Sequence, residues 1–162
     1  MTNFQGTDIP IPYNGKDYRP SICYLDSILT GPAFLYADKG CVAYLRKPNS
    51  YTGGTCVDGA ALVIDSYTTI SGTVISGTLG STNSRLVITN GGIVNLGGTT
   101  QTVQSVEYVP YDEVRAPNGG IIKNGTLIDG DGNTTIYNAN GTIVYSSSSG
   151  GKISPLTPIP ST

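Results

Sequence analysis

Asp129-Gly-Asp-Gly-Asn133 comes closest to a site of recognisable chemistry. It matches the D-x-D-x-N opening of a calcium loop, in which alternate side chains converge as hard oxygen ligands. Two later positions break the pattern. Thr134 stands where the sharp turn requires glycine, and Asn140 stands where a bidentate glutamate completes the coordination. The five residues therefore read as a Gly/Asp-rich hairpin tip, with a weak surface calcium site as the alternative. Glu107, Asp112 and Glu113 invite a glycosidase reading. Adjacent residues on a strand point to opposite faces, so Asp112 and Glu113 would not flank one bond. Nothing in the spacing of Glu107 and Asp112 sets the ~5 Å or ~6.5–9.5 Å separation that glycoside hydrolysis requires. All three read as exposed loop carboxylates. Gly150-Gly-Lys152 fails as a phosphate loop, because Ile153 replaces the required Ser or Thr and Ser146 replaces the first glycine.

Histidine is absent, which excludes a Ser-His-Asp triad, a Cys-His dyad and imidazole metal ligands. Cys23, Cys41 and Cys56 are odd in number and form no C-x-x-C pair. They are expected as small core residues, with one disulfide and a spare thiol as the alternative. A zinc site would lack its fourth ligand. The expectation is a protein that is not an enzyme, with no catalytic, cofactor-binding or metal-binding residues and no cofactor. Asn124, Asn133 and Asn140 satisfy N-x-Thr, and are read as turns. Residues 1–10 carry no Lys or Arg and no apolar run follows them, so the start does not read as a secretion signal and synthesis in a cytoplasm is expected.

The elements that would carry such residues are strands and turns. Among 162 residues, 22 are glycine and 10 proline, and Ser, Thr and Asn are abundant between them. These residues interrupt the chain at short intervals and leave little room for a helix; residues 21–29 and 34–45 are the exceptions. The apolar residues are mainly Ile, Val, Leu and Tyr, which suit half-buried strands. Cys41-Val-Ala-Tyr-Leu45 reads as a strand ending at Lys47-Pro48. Leu86/Ile88, Val94/Leu96 and Val106/Tyr108 alternate with polar residues, the period-two signature of strands with one buried face. Asn118-Gly119, Asn124-Gly125 and Asn140-Gly141 are expected as hairpin turns, because Asn and Gly accept positive φ at low cost. Ile70-Ser-Gly-Thr73 and Ile75-Ser-Gly-Thr78 form an internal repeat offset by five.

Three zones follow. Residues 1–60 hold both Phe and all three Cys, and read as an N-terminal globular region with a proline-stiffened arm at 8–12 and a turn at 13–16. Residues 61–150 read as a β-rich, repeat-like region ending in a Ser/Gly linker at 146–151. Residues 151–162 read as a proline-rich extended tail, whose stretch 153–160 would reach about 25 Å as polyproline II. Strands with two inward residues bury little by themselves, so they must stack on copies of themselves, along the chain or from other subunits. The expected class is all-β: a short-stranded β-solenoid or an intertwined oligomeric β-prism, with an antiparallel β-sandwich as the alternative.

Charge bears on partners. Charged residues make up 12% and the formal net charge is −2, against roughly 25% charged in ordinary domains. Nucleic acid is not expected as a partner, since phosphate binding needs clustered cations. Arg46-Lys47 is the single adjacent basic pair and reads as a solvated strand end. No apolar run approaches the ~20 residues of a membrane span. A charge-poor surface with exposed sheet edges points to self-association, with a homotrimer expected.

The Ile-Ser-Gly-Thr repeat, the charge-poor middle and the proline arms resemble bacteriophage virion structural proteins, namely head fibres, capsid decoration proteins and tail spikes. The resemblance is one of composition over about residues 60–150. It implies a structural component attached to capsid or tail proteins and located in the virion, with residues 1–60 as the anchoring region and 61–150 as a projecting shaft or knob. The alternative is a carbohydrate-binding or adhesive extracellular module, in which Tyr67, Tyr108, Tyr111, Tyr137 and Tyr145 would stack on surface glycans.

Overall fold

The computed structural model describes residues 21–110 and 119–147. Among these the chain forms fifteen strands and no helix. The two segments with room for a helix form β1 (Ser21–Leu25), β2 (Leu35–Ala37) and β3 (Cys41–Leu45) instead. A helix of nine residues is marginal by itself, whereas β1 finds backbone partners along the whole of β3, from Ser21 opposite Cys41 to Leu25 opposite Leu45. The strand expected at Cys41–Leu45 is present. The arm at 8–12, the turn at 13–16 and the tail at 153–160 lie outside the described residues.

The chain continues through β4 (Thr55–Asp58), β5 (Ala61–Ile64), β6 (Ser66–Thr68), β7 (Val74–Ser76), β8 (Arg85–Thr89), β9 (Gly92–Asn95) and β10 (Thr100–Thr102). It ends in β11 (Ser105–Val109), β12 (Gly120–Lys123), β13 (Gly125–Ile128), β14 (Thr134–Tyr137) and β15 (Ile143–Ser147). A first sheet has the order β1-β3-β5-β9-β12 and a second β11-β8-β4-β2; every pairing in both is parallel. A third sheet, β10-β13-β14-β15, begins parallel and finishes antiparallel. Ser21 opposite Cys41, Leu35 opposite Thr55 and Arg85 opposite Ser105 each join positions 20 residues apart. Ala61 opposite Ile93 spans 32, and the excess holds the β6–β7 hairpin. The alternative expectation, an antiparallel sandwich, pairs strands adjacent in sequence. Among the described strands only β6–β7, β13–β14 and β14–β15 do so.

The main core lies between these sheets. Leu45, Leu62, Ile64, Val94, Leu96 and Ile122 meet Val57, Leu86 and Ile88 with almost no exposure. Leu79, Val103 and Leu127 close the third side. Residue 60, the expected zone boundary, is itself inside this core, and β1 and β3 share a sheet with β5, β9 and β12. One buried face per strand describes β8, where exposure alternates, but not β5, where all four residues are buried. Val42, Tyr44, Ala61, Val63 and Ile93 form a second buried cluster on the other face of the first sheet. Strands buried on both faces are the general condition of parallel sheets.

The corners leading into β3, β5, β9 and β12 each carry a glycine with positive φ: Gly40 at +77°, Gly59 at +57°, Gly91 at +73° and Gly119 at +75°. Backbone bonds run between these corners, from Gly40 N–H to Gly59 O at 3.2 Å, Gly59 N–H to Thr89 O at 3.0 Å and Gly91 N–H to Gly119 O at 2.8 Å. On the third side, where strands are few, buried amides complete the bonding. Asn49 accepts from Leu29 N–H at 2.9 Å and donates to Thr78 O at 2.9 Å. Gln101 accepts from Leu79 N–H at 3.1 Å and donates to Gly77 O at 3.2 Å.

Several local expectations change. Asn124-Gly125 is not a hairpin turn: β12 and β13 on either side belong to different sheets, and Asn124, with φ +57°, turns a corner between them. Asn140-Gly141 does join an antiparallel pair, β14 and β15; Asn118 lies outside the described residues. The two Ile-Ser-Gly-Thr copies occupy unlike places. Ile70 sits fully exposed at the β6–β7 tip, whereas a Cβ at Gly77 would lie 1.9 Å from the Leu45 carbonyl oxygen. Ser146 and Ser147 belong to β15 rather than to a linker. Of the cysteines only Cys56 is buried; Cys41 is intermediate and Cys23 exposed, because β1 is an edge strand, and none of the three forms a disulfide.

Leu62→Ala should lower the unfolding free energy by about 2–5 kcal/mol through the cavity it leaves. Gly97→Ala should lower it by about 1–3 kcal/mol, because φ is +60° and the new Cβ would lie 2.0 Å from the Ile64 carbonyl oxygen. Ile70→Ala at the exposed tip should change it by less than about 0.5 kcal/mol. Urea unfolding followed by far-ultraviolet circular dichroism measures all three.

Candidate functional site

Two cavities of about 290 and 460 Å³ adjoin at Tyr137, which lines both. They open where the end of the second sheet meets the C-terminal antiparallel strands. β11 is the last strand of its sheet and presents Tyr108, 40% exposed. Tyr137 ends β14, opposite Ile143 of β15. A side-chain hydrogen bond joins the two phenols. Burial pushes the Tyr108 pKa up, and the Tyr137 hydroxyl adds to the shift. Burial also raises Tyr137, opposed by its hydrogen bonds with Tyr108 and Thr135. Both phenols therefore stay neutral at physiological pH.

The wider cavity is apolar, with Ile121 of β12 and Ile143 facing the two rings. The narrower one is polar and ends at the tip between β13 and β14. That tip is the expected Gly/Asp-rich hairpin turn. Asp129 Oδ1 accepts from the backbone N–H of Asp131 and of Asn133, both at 2.9 Å, and Oδ2 accepts from the Asn133 side-chain amide at 2.8 Å. Both carboxylate oxygens thus hold the turn rather than facing a common centre, as calcium coordination would require. Partial burial works to raise the Asp129 pKa, but the bonds from Asn133 and Asp131 outweigh it and hold the carboxyl below its usual range. Asp131 is exposed beside it. Gln104 forms the facing wall: its amide nitrogen would lie 2.3 Å from a Cβ at Gly130, so its side chain lies flat against the tip. No Lys or Arg is among the described residues lining either cavity.

The structure divides the tyrosines that could stack on sugars. Tyr108 and Tyr137 share the groove. Tyr145 lies opposite Ile136, on the other face of β14 from Tyr137. Tyr67 is engaged elsewhere: the Arg46 guanidinium sits 5.6 Å and the Lys47 ammonium 4.7 Å from its ring centre, and Lys47 donates a hydrogen bond to its hydroxyl. Tyr111 lies outside the described residues. Arg46-Lys47 is accordingly not a solvated strand end. Arg46 also lies 3.5 Å from Asp26 and 3.3 Å from Asp65, although its Nε, at the second distance, makes no well-aligned hydrogen bond. Its guanidinium packs 5.7 Å from the Tyr24 ring centre.

Glu107 is exposed on β11 and adjacent to Tyr108, so it points away from the groove; Asp112 and Glu113 lie outside the described residues. Among the described residues no three His, Cys, Asp or Glu side chains gather at one point. Burial pushes the Cys41 and Cys56 thiols up, away from the reactive thiolate. A further polar cluster sits at a corner, where Tyr36 O–H and the Asn90 side-chain amide both donate to Asp58. The bond to Asp58 pushes the Tyr36 pKa up to about 12. This cluster ties successive corners together and opens on neither cavity.

Comparison with models of known families, with curated proteins and with solved structures finds no match.

The Asp129 turn sets a pH expectation. A carboxyl with a depressed folded pKa contributes stability above its unfolded pKa and loses it as pH falls through the folded value. Amide exchange at Asp131 and Asn133 should therefore accelerate as pH drops below the usual aspartate range, after correction for intrinsic rates. Asp129→Ala should remove that pH dependence.

Proposed function

We propose that this chain is a β-solenoid acting as a non-enzymatic structural component of a virion, a homo-oligomeric fibre or decoration protein attached to a capsid or tail. The observation that carries the reading is the in-register parallel pairing of strands about 20 residues apart in two sheets. Such stacking makes a stiff body that lengthens by repetition, which suits a projecting part. A surface with few charges is solvated by hydroxyls and amides and carries no concentrated field for charged substrates. The core does not require other subunits, since Leu45, Leu62, Leu86 and Ile88 are buried within one chain. Self-association into a trimer is proposed on surface grounds alone.

The anchoring end is assigned to the first strands. β1 and β2 are the end strands of their sheets, and Ile22, Tyr24, Ile28, Phe34 and Tyr36 around them are 44–56% exposed. Among the described residues no further strand pairs with these edges, and an unpaired edge with exposed apolar side chains attracts further pairing unless something covers it. A capsid or tail protein covers it in this reading.

Mass spectrometry of purified particles should recover the chain at a stoichiometric copy number, and sedimentation velocity should show a trimer. Ile22→Asp combined with Ile28→Asp, both exposed at the assigned edge, should abolish co-sedimentation with particles lacking this protein while leaving the strand content unchanged. Absence from every purified particle would overturn the virion reading, and a folded monomer at micromolar concentration would overturn the trimer. If that double variant still binds and a chain lacking residues 151–162 does not, the polarity is reversed.

A further inference from the structure

We propose that the groove beside Tyr108 and Tyr137 binds a neutral oligosaccharide, with one sugar ring against the two phenols and the next reaching the Asp131 and Gln104 side chains. This is independent of attachment to a particle, because the groove lies at the opposite end of the second sheet from β2.

Four observations carry it. First, two cavities of about 290 and 460 Å³ adjoin at one aromatic ring, together large enough for a small-molecule site and elongated as a chain of rings requires. Secondly, their chemistry is graded. One end offers Tyr108, Ile121 and Ile143, each 37–42% exposed, against which the C–H face of a pyranose packs. The other offers a carboxylate, carboxamides and a threonine hydroxyl, which exchange paired hydrogen bonds with vicinal hydroxyls. Thirdly, the described lining contains Asp129 and Asp131 and no cation. An anionic sugar would meet like charge at Asp129 and Asp131, which disfavours uronic and sialic acids at this end of the groove. Fourthly, the walls are already ordered. Tyr137 is held by Tyr108 and Thr135, and the tip is closed by three bonds to Asp129. Binding then loses little side-chain entropy.

The test uses the full chain on an array of neutral gluco-, galacto-, manno- and N-acetylhexosamine oligosaccharides together with sialylated and uronate oligosaccharides, followed by calorimetric titration of each hit. At least one neutral series should bind and the acidic ones should not. Tyr137→Ala and Asp131→Ala should each weaken binding by about tenfold or more, the effect of losing one stacking or hydrogen-bonding partner. Tyr67→Ala, on a ring outside the groove, should leave it unchanged. Asp131 is exposed, so its variant remains informative if Tyr137→Ala disturbs β14. No binding in any neutral series, preference for acidic sugars, or affinity that survives both groove variants would each overturn the proposal.

Discussion

Everything in this molecule depends on turning a corner at a fixed place in each repeat. A strand of the first sheet can lie in register on its neighbour only if the chain arrives in the same direction each time. The four corner glycines with φ between +57° and +77° accomplish this. That region is strained for a side chain bearing Cβ and open to glycine. Because the corners also bond to one another through the backbone, an error at one would displace the register of the next. Tyr36, Asp58 and Asn90 reinforce the same corners with side chains.

Parallel stacking then imposes a second requirement. Backbone groups between the strands must find partners in adjacent repeats, since unpaired buried amides are costly. Asn49 and Gln101 meet it by bonding across the third side with their carboxamides. This explains why Asn49 and Gln101 are buried beside an aliphatic core cluster. It also explains how a chain with 12% charged residues holds a defined shape: hydroxyls and amides do the bonding that ion pairs do elsewhere, and the charged network around Arg46 is confined to one corner.

The departures from regular stacking are the β6–β7 hairpin and the C-terminal strands. The β6–β7 hairpin is an insertion that leaves the register intact on either side. The C-terminal strands change from parallel to antiparallel, and that change of direction opens the groove against β11. Regular repeats bury their side chains, while irregular ends leave concave, partly polar surface. The proposed attachment and sugar-binding roles therefore fall at opposite ends of the second sheet, and a ligand at one need not obstruct a partner at the other.

Composition determined the all-β class over most of the chain, because glycine, proline and asparagine at short intervals leave little room for helices and β-branched residues favour extended chain, while at 21–29 and 34–45 the pairing of β1 with β3 and of β2 with β4 decided it. It also determined the turn at Asp129–Asn133, whose donors and acceptor lie within five residues. The repeat was present but obscured. Lys39-Gly-Cys-Val-Ala-Tyr-Leu45, Asp58-Gly-Ala-Ala-Leu-Val-Ile64 and Asn90-Gly-Gly-Ile-Val-Asn-Leu96 align at the corner glycine. Their spacings of 19 and 32 residues differ because of the inserted hairpin, while the five-residue Ile-Ser-Gly-Thr echo was easier to see and had no structural counterpart. Sequence could name Tyr108 and Tyr137 as aromatics suited to sugars but could not separate them from Tyr67 or Tyr145, and it gave no reason to notice Gln104. Only tertiary structure decided which of them meet. Tyr108 and Tyr137 are 29 residues apart, on strands of different sheets, and what joins them is the reversal of strand direction at the end of the fold, a long-range event that no local pattern encodes.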